Sequence, residues 1–153
     1  MFLSETASSL QFFSLVPWVV FFPVIGLLVN IILGGKLGEK AIGAIGSLAS
    51  GMSFVISVLM AISLVGHPEG ATVTLLEWIR IGSLQIDWAF RVDTLSVTMM
   101  LVVSGVGTLI HIYSIGYMHA DVRHNGDPKR FRRFFVFMNL FIAAMMILVT
   151  GDN

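Results

Sequence analysis

The sequence predicts an all-α membrane protein with four transmembrane helices and an external β-hairpin between the second and third helices. Hydrophobic residues make up 56% of the 153 residues, while charged residues make up 12%, about half of the ~25% typical of a soluble domain. The hydrophobic residues fall into four blocks near the length of roughly 20 residues that a helix needs to cross a bilayer. Between the second and third blocks, hydrophobic and polar residues alternate, which is typical of strands.

The helices are predicted from the hydrophobic blocks together with local signals at their ends. The four predicted helices cover residues 15–33, 41–65, 95–118 and 128–150. Asp93 precedes the third block, and its side chain can cap the free backbone N–H groups of the helix. Asp127 and Pro128 give the fourth helix a cap followed by a proline, a residue favoured in the first turn.

The stretch LQIDWAFRV, residues 84–92, alternates strictly between hydrophobic and polar side chains. Gly82 and Ser83 separate it from an upstream run, and glycine in the first position suits a type II′ turn. We therefore predict a β-hairpin over residues 73–92 with one hydrophobic face. A hairpin on its own is barely stable in water, so we expect it to dock on the ends of its own helices or on a neighbouring subunit.

The distribution of charge predicts how the chain is oriented in the membrane. The formal net charge is zero, so nothing favours binding to nucleic acid. Seven basic residues follow the first and third helices and two lie in the hairpin segment: Lys36, Lys40, Arg123, Lys129, Arg130, Arg132 and Arg133, against Arg80 and Arg91. By the positive-inside rule, the N-terminus and the hairpin are predicted outside. No transit peptide is recognisable ahead of the first helix, which favours a bacterial plasma membrane over an organelle inner membrane.

Small residues recur along one side of the predicted second helix. They are Gly43, Gly46, Ala49, Ser50, Ser53 and Ser57. In lipid, small residues allow helix backbones to approach closely, so the stripe predicts a helix–helix contact. A pore lining is the alternative interpretation, and nothing in the sequence requires it.

The predicted third helix carries a more polar stripe that ends in a histidine. Its members are Thr98, Leu101, Ser104, Gly105, Thr108 and His111. We expect this face to meet another helix or a hydrated cavity, because polar groups have no partners in lipid. His111 is in addition a candidate functional residue, because it is an ionisable residue inside a span. His111 titrates near neutrality and could relay a proton; the simpler interpretation is an imidazole that only hydrogen-bonds between helices. The same two interpretations apply to Asn139 in the fourth helix.

Residues that would support other chemistry are missing from the sequence. There is no cysteine, and no phosphate-binding loop, dinucleotide-binding glycine motif or nucleophile–base pair can be recognised. His119, Asp121 and His124 lie close together in a charged segment, but this spacing is a weak metal-binding signal. We therefore predict no catalytic residue, metal site or cofactor site in this chain.

Two stretches carry a resemblance to a known family. They are FRVDTLSVTMMLVVSGVGTLIHIYSIGYMHAD, residues 90–121, and RFFVFMNLFIAAMMILVTGDN, residues 133–153. With their D-x-L-S entry, YS-x-x-YM end and RFF…NLF…DN run, they resemble the start of the antiporter-like subunit L, or chain 5, of NADH:quinone oxidoreductase, respiratory complex I. The resemblance is clear over residues 73–153, whereas the first two helices match only in hydropathy.

The resemblance implies a proton-translocating membrane subunit of a multisubunit enzyme, in which electron transfer to quinone drives proton pumping. NADH, FMN, iron–sulfur clusters and quinone would be bound by other subunits. The partners would be those membrane subunits and the lipid bilayer. Residues 1–153 would form a single membrane region, the N-terminal part of a longer subunit whose key glutamate and lysine lie beyond Asn153. Among the residues present, His111 is the candidate for a place on a proton path.

Two kinds of alternative remain open from the sequence. Large subunits of Mrp-type Na⁺/H⁺ antiporters and of membrane-bound hydrogenases share the D-x-L-S and YS-x-x-YM motifs, although the GVG and RFF context favours the oxidoreductase. A small four-helix scaffold protein is an alternative of a different class. It would not continue beyond Asn153 into a helix that bears the family's glutamate.

Overall fold

The computed structural model of the protein describes residues 12–152 and confirms the predicted fold class. In this part of the chain the elements are α1 (Trp18–Ile32), α2 (Glu39–Gly66), β1 (Ala71–Ile81), β2 (Leu84–Val92), α3 (Thr94–Asn125) and α4 (Lys129–Thr150). Helices α2, α3 and α4 are long and apolar enough to cross a membrane, and α1 is a shorter apolar helix of 15 residues. The two strands form an antiparallel hairpin between the second and third helices.

The third helix is longer than predicted. The sequence indicated an end at Met118, where charged residues begin, but α3 continues to Asn125. Charge marks the point at which a helix leaves lipid, and the same helix can continue into water. The helix ends at Gly126, whose positive φ of 72° and N–H bond of 2.8 Å to the Val122 carbonyl form a left-handed C-cap.

The first helix begins later than predicted. Residues 12 and 13 are helical and residues 14–17 form hydrogen-bonded turns, with a 2.9 Å bond from the Leu15 N–H to the Phe12 carbonyl. Regular α-helix starts at Trp18, directly after Pro17. Its 15 residues rise about 22 Å, which is less than the ~30 Å hydrocarbon core. The turns before α1 therefore supply part of the length that the prediction gave to the helix.

The four helices pack into a bundle with a buried seam and an apolar outer surface. All six small residues of the predicted stripe on α2 are buried, which confirms that this face is a packing surface. Large hydrophobic side chains cover the outside, among them Ile62, Leu95, Leu109, Tyr113 and Leu148. A helix bundle in water would present polar residues at such positions, so this surface is suited to lipid.

The hairpin begins two residues earlier than predicted and has the predicted turn. Gly82 has a φ of +59°, and no non-glycine residue among those described has a positive φ. A positive φ at the first turn position alone matches type II′. The strand register shifts twice, between Thr74 and Leu76 and again between Glu77 and Ile79. These irregularities interrupt the simple alternation of faces along β1.

Only the base of the hairpin docks on the helices. Phe90 and Val92 are buried in the main hydrophobic core. Towards the turn, Trp78 is 64% exposed and Ile81 is 72% exposed, and the Trp78 ring meets the Trp88 ring edge-on at 6.3 Å. The expected docking on the chain's own helix ends is therefore found at the base, while the hydrophobic surface near the turn stays uncovered.

Asp93 joins the hairpin to α3 and caps the helix as predicted. Its Oδ1 accepts the Ser96 N–H at 2.8 Å, and the Arg91 Nε lies 3.0 Å from its Oδ2. The hydrogen bond from the Ser96 backbone, with help from the Arg91 charge, lowers the pKa of Asp93 below 3.8. Because the pKa is lowered on folding, the ionised carboxylate stabilises the fold above pH 3.8, and this stabilisation is lost as the pH falls through the lowered pKa.

Replacing Asp93 should weaken the helix start in a pH-dependent way. We expect Asp93→Ala to lower the free energy of unfolding by about 1 kcal/mol at neutral pH, because the Ser96 N–H loses its acceptor. The stability difference between wild type and Asp93→Asn should shrink once the pH falls below the lowered pKa. Unfolding followed by circular dichroism in detergent measures both effects. Asp87→Ala removes a carboxylate from β2 that caps no helix and is the control; equal stability of the Asp93 and Asp87 variants would contradict the cap.

Candidate functional site

The buried face of α3 contains His111 but differs in part from the predicted polar stripe. Its middle section is formed by Met100, Ser104, Gly107, His111 and Ser114. Thr98, which was predicted to share this face, is exposed, and its hydroxyl donates to the Thr94 carbonyl at 2.7 Å. A hydroxyl that is satisfied by its own helix can face lipid, so its polarity does not mark the inner face.

The imidazole of His111 is held through one nitrogen, and its other nitrogen makes no hydrogen bond of standard geometry in the part of the chain that the structure describes. The side chain is fully buried, and Nδ1 lies 2.7 Å from the Gly107 carbonyl oxygen. A carbonyl can only accept, so Nδ1 carries a proton and Nε2 holds the lone pair of the neutral ring. Nε2 has no hydrogen-bond partner in the described part of the chain. It is therefore the atom at which His111 could gain or lose a proton.

Asn139 on α4 lies beside this imidazole. It is fully buried, and neither of its amide atoms has a hydrogen-bond partner of standard geometry among residues 12–152. Glycines on two other helices make room for it. A Cβ atom on Gly26 would lie 3.3 Å from Asn139 Nδ2, and one on Gly46 would lie 3.1 Å from the same atom.

Asn30, near the end of α1, extends this group of side chains. Its Nδ2 donates to the Ile42 carbonyl at 3.3 Å, while its Oδ1 is without a partner within the described ranges. Gly46 lies between the two asparagines, since its Cβ position is 3.6 Å from Asn30 Nδ2. We refer to Asn30, His111 and Asn139 as the polar cluster. The sequence analysis missed Asn30, although a lone asparagine in an apolar block was a usable signal.

Several hydroxyl groups elsewhere in the bundle are hydrogen-bonded, in contrast to the polar cluster, although the buried Ser47 hydroxyl has no partner among the described residues. The Ser53 hydroxyl donates to the Val19 carbonyl at 2.8 Å, and Ser57 donates to the Ser53 carbonyl at 2.8 Å. Between α2 and α3, the Ser50 and Thr108 hydroxyl oxygens are hydrogen-bonded at 3.1 Å. These bonds are structural. Unpartnered buried polar atoms cost about 1–3 kcal/mol each, and ordered water commonly satisfies them in protein interiors.

The histidines and the aspartate near the end of α3 are used for other contacts. The His119 Nδ1 lies 2.6 Å from Glu39 Oε2, which joins α3 to the start of α2. Asp121 forms an ion pair with Arg130, with 2.9 Å between Asp121 Oδ2 and Arg130 Nε. His124 is exposed. Across residues 12–152, no group of three or more histidine, aspartate or glutamate side chains is placed to hold a metal ion.

Comparisons with known proteins identify the family. Residues 78–135, which include His111, match the family model described as NADH-Ubiquinone oxidoreductase (complex I), chain 5 N-terminus. NADH-ubiquinone oxidoreductase chain 5 of Allomyces macrogynus is 36% identical over 137 residues, which is 88% of this chain and 20% of that protein. The chain belongs to the chain 5 family.

Bacterial members of the chain 5 family are similar to the same degree. NADH-quinone oxidoreductase subunit L of Mycobacterium tuberculosis is 36% identical over 126 residues, 80% of this chain and 19% of that protein. The subunit L of Pseudomonas aeruginosa is 34% identical over 143 residues, 92% of this chain and 22% of that protein. The chain thus spans about a fifth of the length of these curated relatives.

The similarity is wider than the sequence analysis indicated. Residues 73–153 were expected to carry the resemblance, with the first two helices alike only in hydropathy. An alignment over 143 residues must extend through most of the first two helices. The three residues of the polar cluster, on α1, α3 and α4, therefore all lie within the part of the chain that aligns with the relative from Pseudomonas aeruginosa.

The close approach of the helices around Asn139 is testable at Gly26. A Cβ atom there would lie 2.6 Å from the Ala49 Cβ, so Gly26→Ala should force α1 and α2 apart and cost roughly 1–3 kcal/mol in unfolding free energy. Gly116→Ala is the matched control, because a Cβ atom there meets nothing within 4 Å and alanine is the better helix former. Thermal unfolding in detergent measures both. A Gly26 variant as stable as the Gly116 variant would refute the close contact.

Proposed function

We propose that the chain is part of a proton-translocating membrane subunit of NADH:quinone oxidoreductase. Its membership of the chain 5 family, whose members named above are NADH-ubiquinone and NADH-quinone oxidoreductase subunits, supports this proposal. Three helices suited to crossing a membrane support it as well. Residues 1–153 would form a single membrane region, the N-terminal part of a longer antiporter-like subunit, and electron transfer to quinone elsewhere in the enzyme would drive the protons.

Within this function, His111 is proposed to lie on a proton path. The supporting observation is the geometry of its ring: Nδ1–H is held by the Gly107 carbonyl, and Nε2 has no hydrogen bond of standard geometry among residues 12–152, while Asn139 lies beside the ring. A proton that binds at Nε2 converts the neutral ring to an imidazolium, with Nδ1–H still held in place. The amide oxygen of Asn139 could accept the new Nε2–H. Release of the proton restores the starting state, so one proton is carried per cycle.

The remaining components of the enzyme would be supplied by other subunits. NADH, FMN, iron–sulfur clusters and quinone would bind there, and this chain would have no catalytic centre of its own. Its partners would be other membrane subunits and the bilayer, without nucleic acid. The exposed hydrophobic surface near the hairpin turn, including Trp78 and Ile81, is suited to contact with a neighbouring subunit.

A bacterial plasma membrane is the proposed location, with the N-terminus and hairpin outside. The basic residues around the α1–α2 and α3–α4 loops support this orientation through the positive-inside rule, and an organelle inner membrane is the alternative. The antiporter and hydrogenase relatives are not favoured, because the relatives reported above are all oxidoreductase subunits. Membership of the chain 5 family likewise disfavours a small scaffold protein.

The role of His111 can be separated from packing with one substitution. In His111→Asn, the side-chain amide can still donate to the Gly107 carbonyl, but no group replaces Nε2. We expect the assembled oxidoreductase with this change to pump fewer protons per NADH oxidised, because no group at this position can accept the proton. The measurement compares proton uptake into membrane vesicles with the rate of NADH oxidation.

A second histidine on the same helix provides the control. His124 is exposed, so His124→Asn should leave both proton pumping and NADH oxidation unchanged. Assembly of each variant enzyme is checked by native gel electrophoresis. An assembled His111→Asn enzyme that pumps as wild type would show that the histidine only packs between the helices.

A further inference from the structure

A cavity opens at the basic end of the bundle, where α1 ends and α2 and α4 begin. Its volume is about 770 Å³, within the range of roughly 300–1,000 Å³ that ligand sites occupy. Three cationic side chains line it, namely Lys40, Lys129 and Arg132, together with the backbone of Gly34 and Gly35. His119, which lines the cavity, lies about two helical turns beyond His111 on α3, close to where the charged residues of that helix begin.

The charges that line this cavity are unbalanced. Glu39 is the acidic lining residue, and its carboxylate is already in contact with His119 at 2.6 Å. The three cations make no ion pair in the part of the chain that the structure describes. The cavity therefore carries an excess of positive charge, and it is suited to an anionic group.

Nearby carboxylates are occupied by other arginines. Asp121 pairs with Arg130 at 2.9 Å, and Asp127 pairs with Arg133 at 3.4 Å. Both of these arginines lie outside the lining of the cavity. Lys36 and Arg123 at the same end also form no ion pair among the described residues, but they lie outside the lining. The cavity differs in that three unpaired cations line one space.

Arg132 is held against the wall of the cavity by two glycines. A Cβ atom on Gly34 would lie 2.6 Å from Arg132 Cδ, and one on Gly35 would lie 3.1 Å from Arg132 Nη1. The glycines let the side chain lie across the α1–α2 loop. A guanidinium is well suited to phosphate, because its planar set of donors can bind two oxygens at once.

An apolar groove continues from this cavity towards the membrane. It shares Glu39, Lys40 and His119 with the cavity and then follows Ile115, Gly116 and Phe131, with a volume of about 150 Å³. A Cβ atom on Gly116 would meet nothing within 4 Å, so the groove is open there. Ile115 and Gly116 precede His119 on α3 and therefore lie on the lipid side of the cavity.

We propose that this end of the bundle binds one anionic phospholipid. The phosphate would lie among Lys40, Lys129 and Arg132. An acyl chain would lie in the groove formed by Ile115, Gly116 and Phe131. The positive charge of the cavity favours a ligand with an anionic group. The adjoining apolar groove favours a lipid over free phosphate, because free phosphate would occupy only the cavity. This site is separate from the polar cluster and does not depend on the proposed proton path.

The first test removes charge from the cavity. The full oxidoreductase complex is reconstituted in phosphatidylcholine nanodiscs that contain spin-labelled phosphatidylglycerol, and electron paramagnetic resonance measures the immobilised fraction. We expect Lys129→Gln and Arg132→Gln each to weaken lipid binding about fivefold, equivalent to ~1 kcal/mol per basic residue near an anionic lipid surface. Arg133→Gln removes the same charge outside the cavity and should have little effect. An equal loss in the Arg133 variant would reduce the site to general surface attraction and overturn the proposal.

The second test fills the groove and leaves every charge in place. Gly116→Leu should lower the immobilised fraction of phosphatidylglycerol, while Gly66→Leu, which also projects into open space at the far end of α2, should not. Inorganic phosphate, compared with chloride at equal ionic strength, should not displace the lipid from the wild-type complex. Unchanged binding in Gly116→Leu, or displacement by inorganic phosphate, would overturn the proposal. The Gly116→Leu measurement and the phosphate competition do not require a charge variant, so they test the proposal even if a charge variant fails to assemble.

Discussion

Inside the hydrocarbon, polar groups have no water to bond with, and this constraint accounts for most of the bundle's interior. The chain meets it locally wherever it can. The Ser57 hydroxyl bonds the Ser53 carbonyl and the Thr108 hydroxyl bonds the Ser104 carbonyl, each one turn back on its own helix. Longer polar side chains cannot be satisfied in this way on every atom. Apart from the Ser47 hydroxyl, the buried polar atoms of the described helices that lack a partner belong to the polar cluster of Asn30, His111 and Asn139, which is why it is the proposed functional site.

Close helix contact and the polar cluster depend on the same small residues. Gly46 on α2 leaves room for Phe135, Asn139 and Asn30, since a Cβ atom there would lie 2.8 Å from the Phe135 ring. A larger residue at this position would separate the two asparagines and displace the aromatic ring that packs on His111. The stripe of small residues, which the sequence analysis explained by packing with a pore lining as the alternative, therefore also determines which polar side chains meet.

The sequence was sufficient to predict the helices and the hairpin, because hydropathy and periodicity report directly on the lipid and on the strand. It was insufficient where the outcome depends on a single backbone angle or on a distant neighbour. The end of α3 is determined by the positive φ of Gly126, whereas the charges after Met118 mark only the water boundary. Thr98 was assigned to the inner face because its local bond to the Thr94 carbonyl cannot be recognised from spacing. Asn30 gains its importance from Gly46 and Asn139, which meet it only in the folded bundle.

The polar cluster and the basic cavity are separated by two aromatic rings. Phe135 packs on the His111 imidazole with ring centres 5.9 Å apart, and Phe131 stacks on Phe135 at 4.9 Å. Both phenylalanines are fully buried, and Phe131 forms part of the groove wall. A phospholipid in the groove would therefore contact the outer ring and leave the imidazole untouched. On the proposed proton path, we expect a proton to reach Nε2 past Asn139 rather than from the basic cavity, because the aromatic pair closes this side of His111.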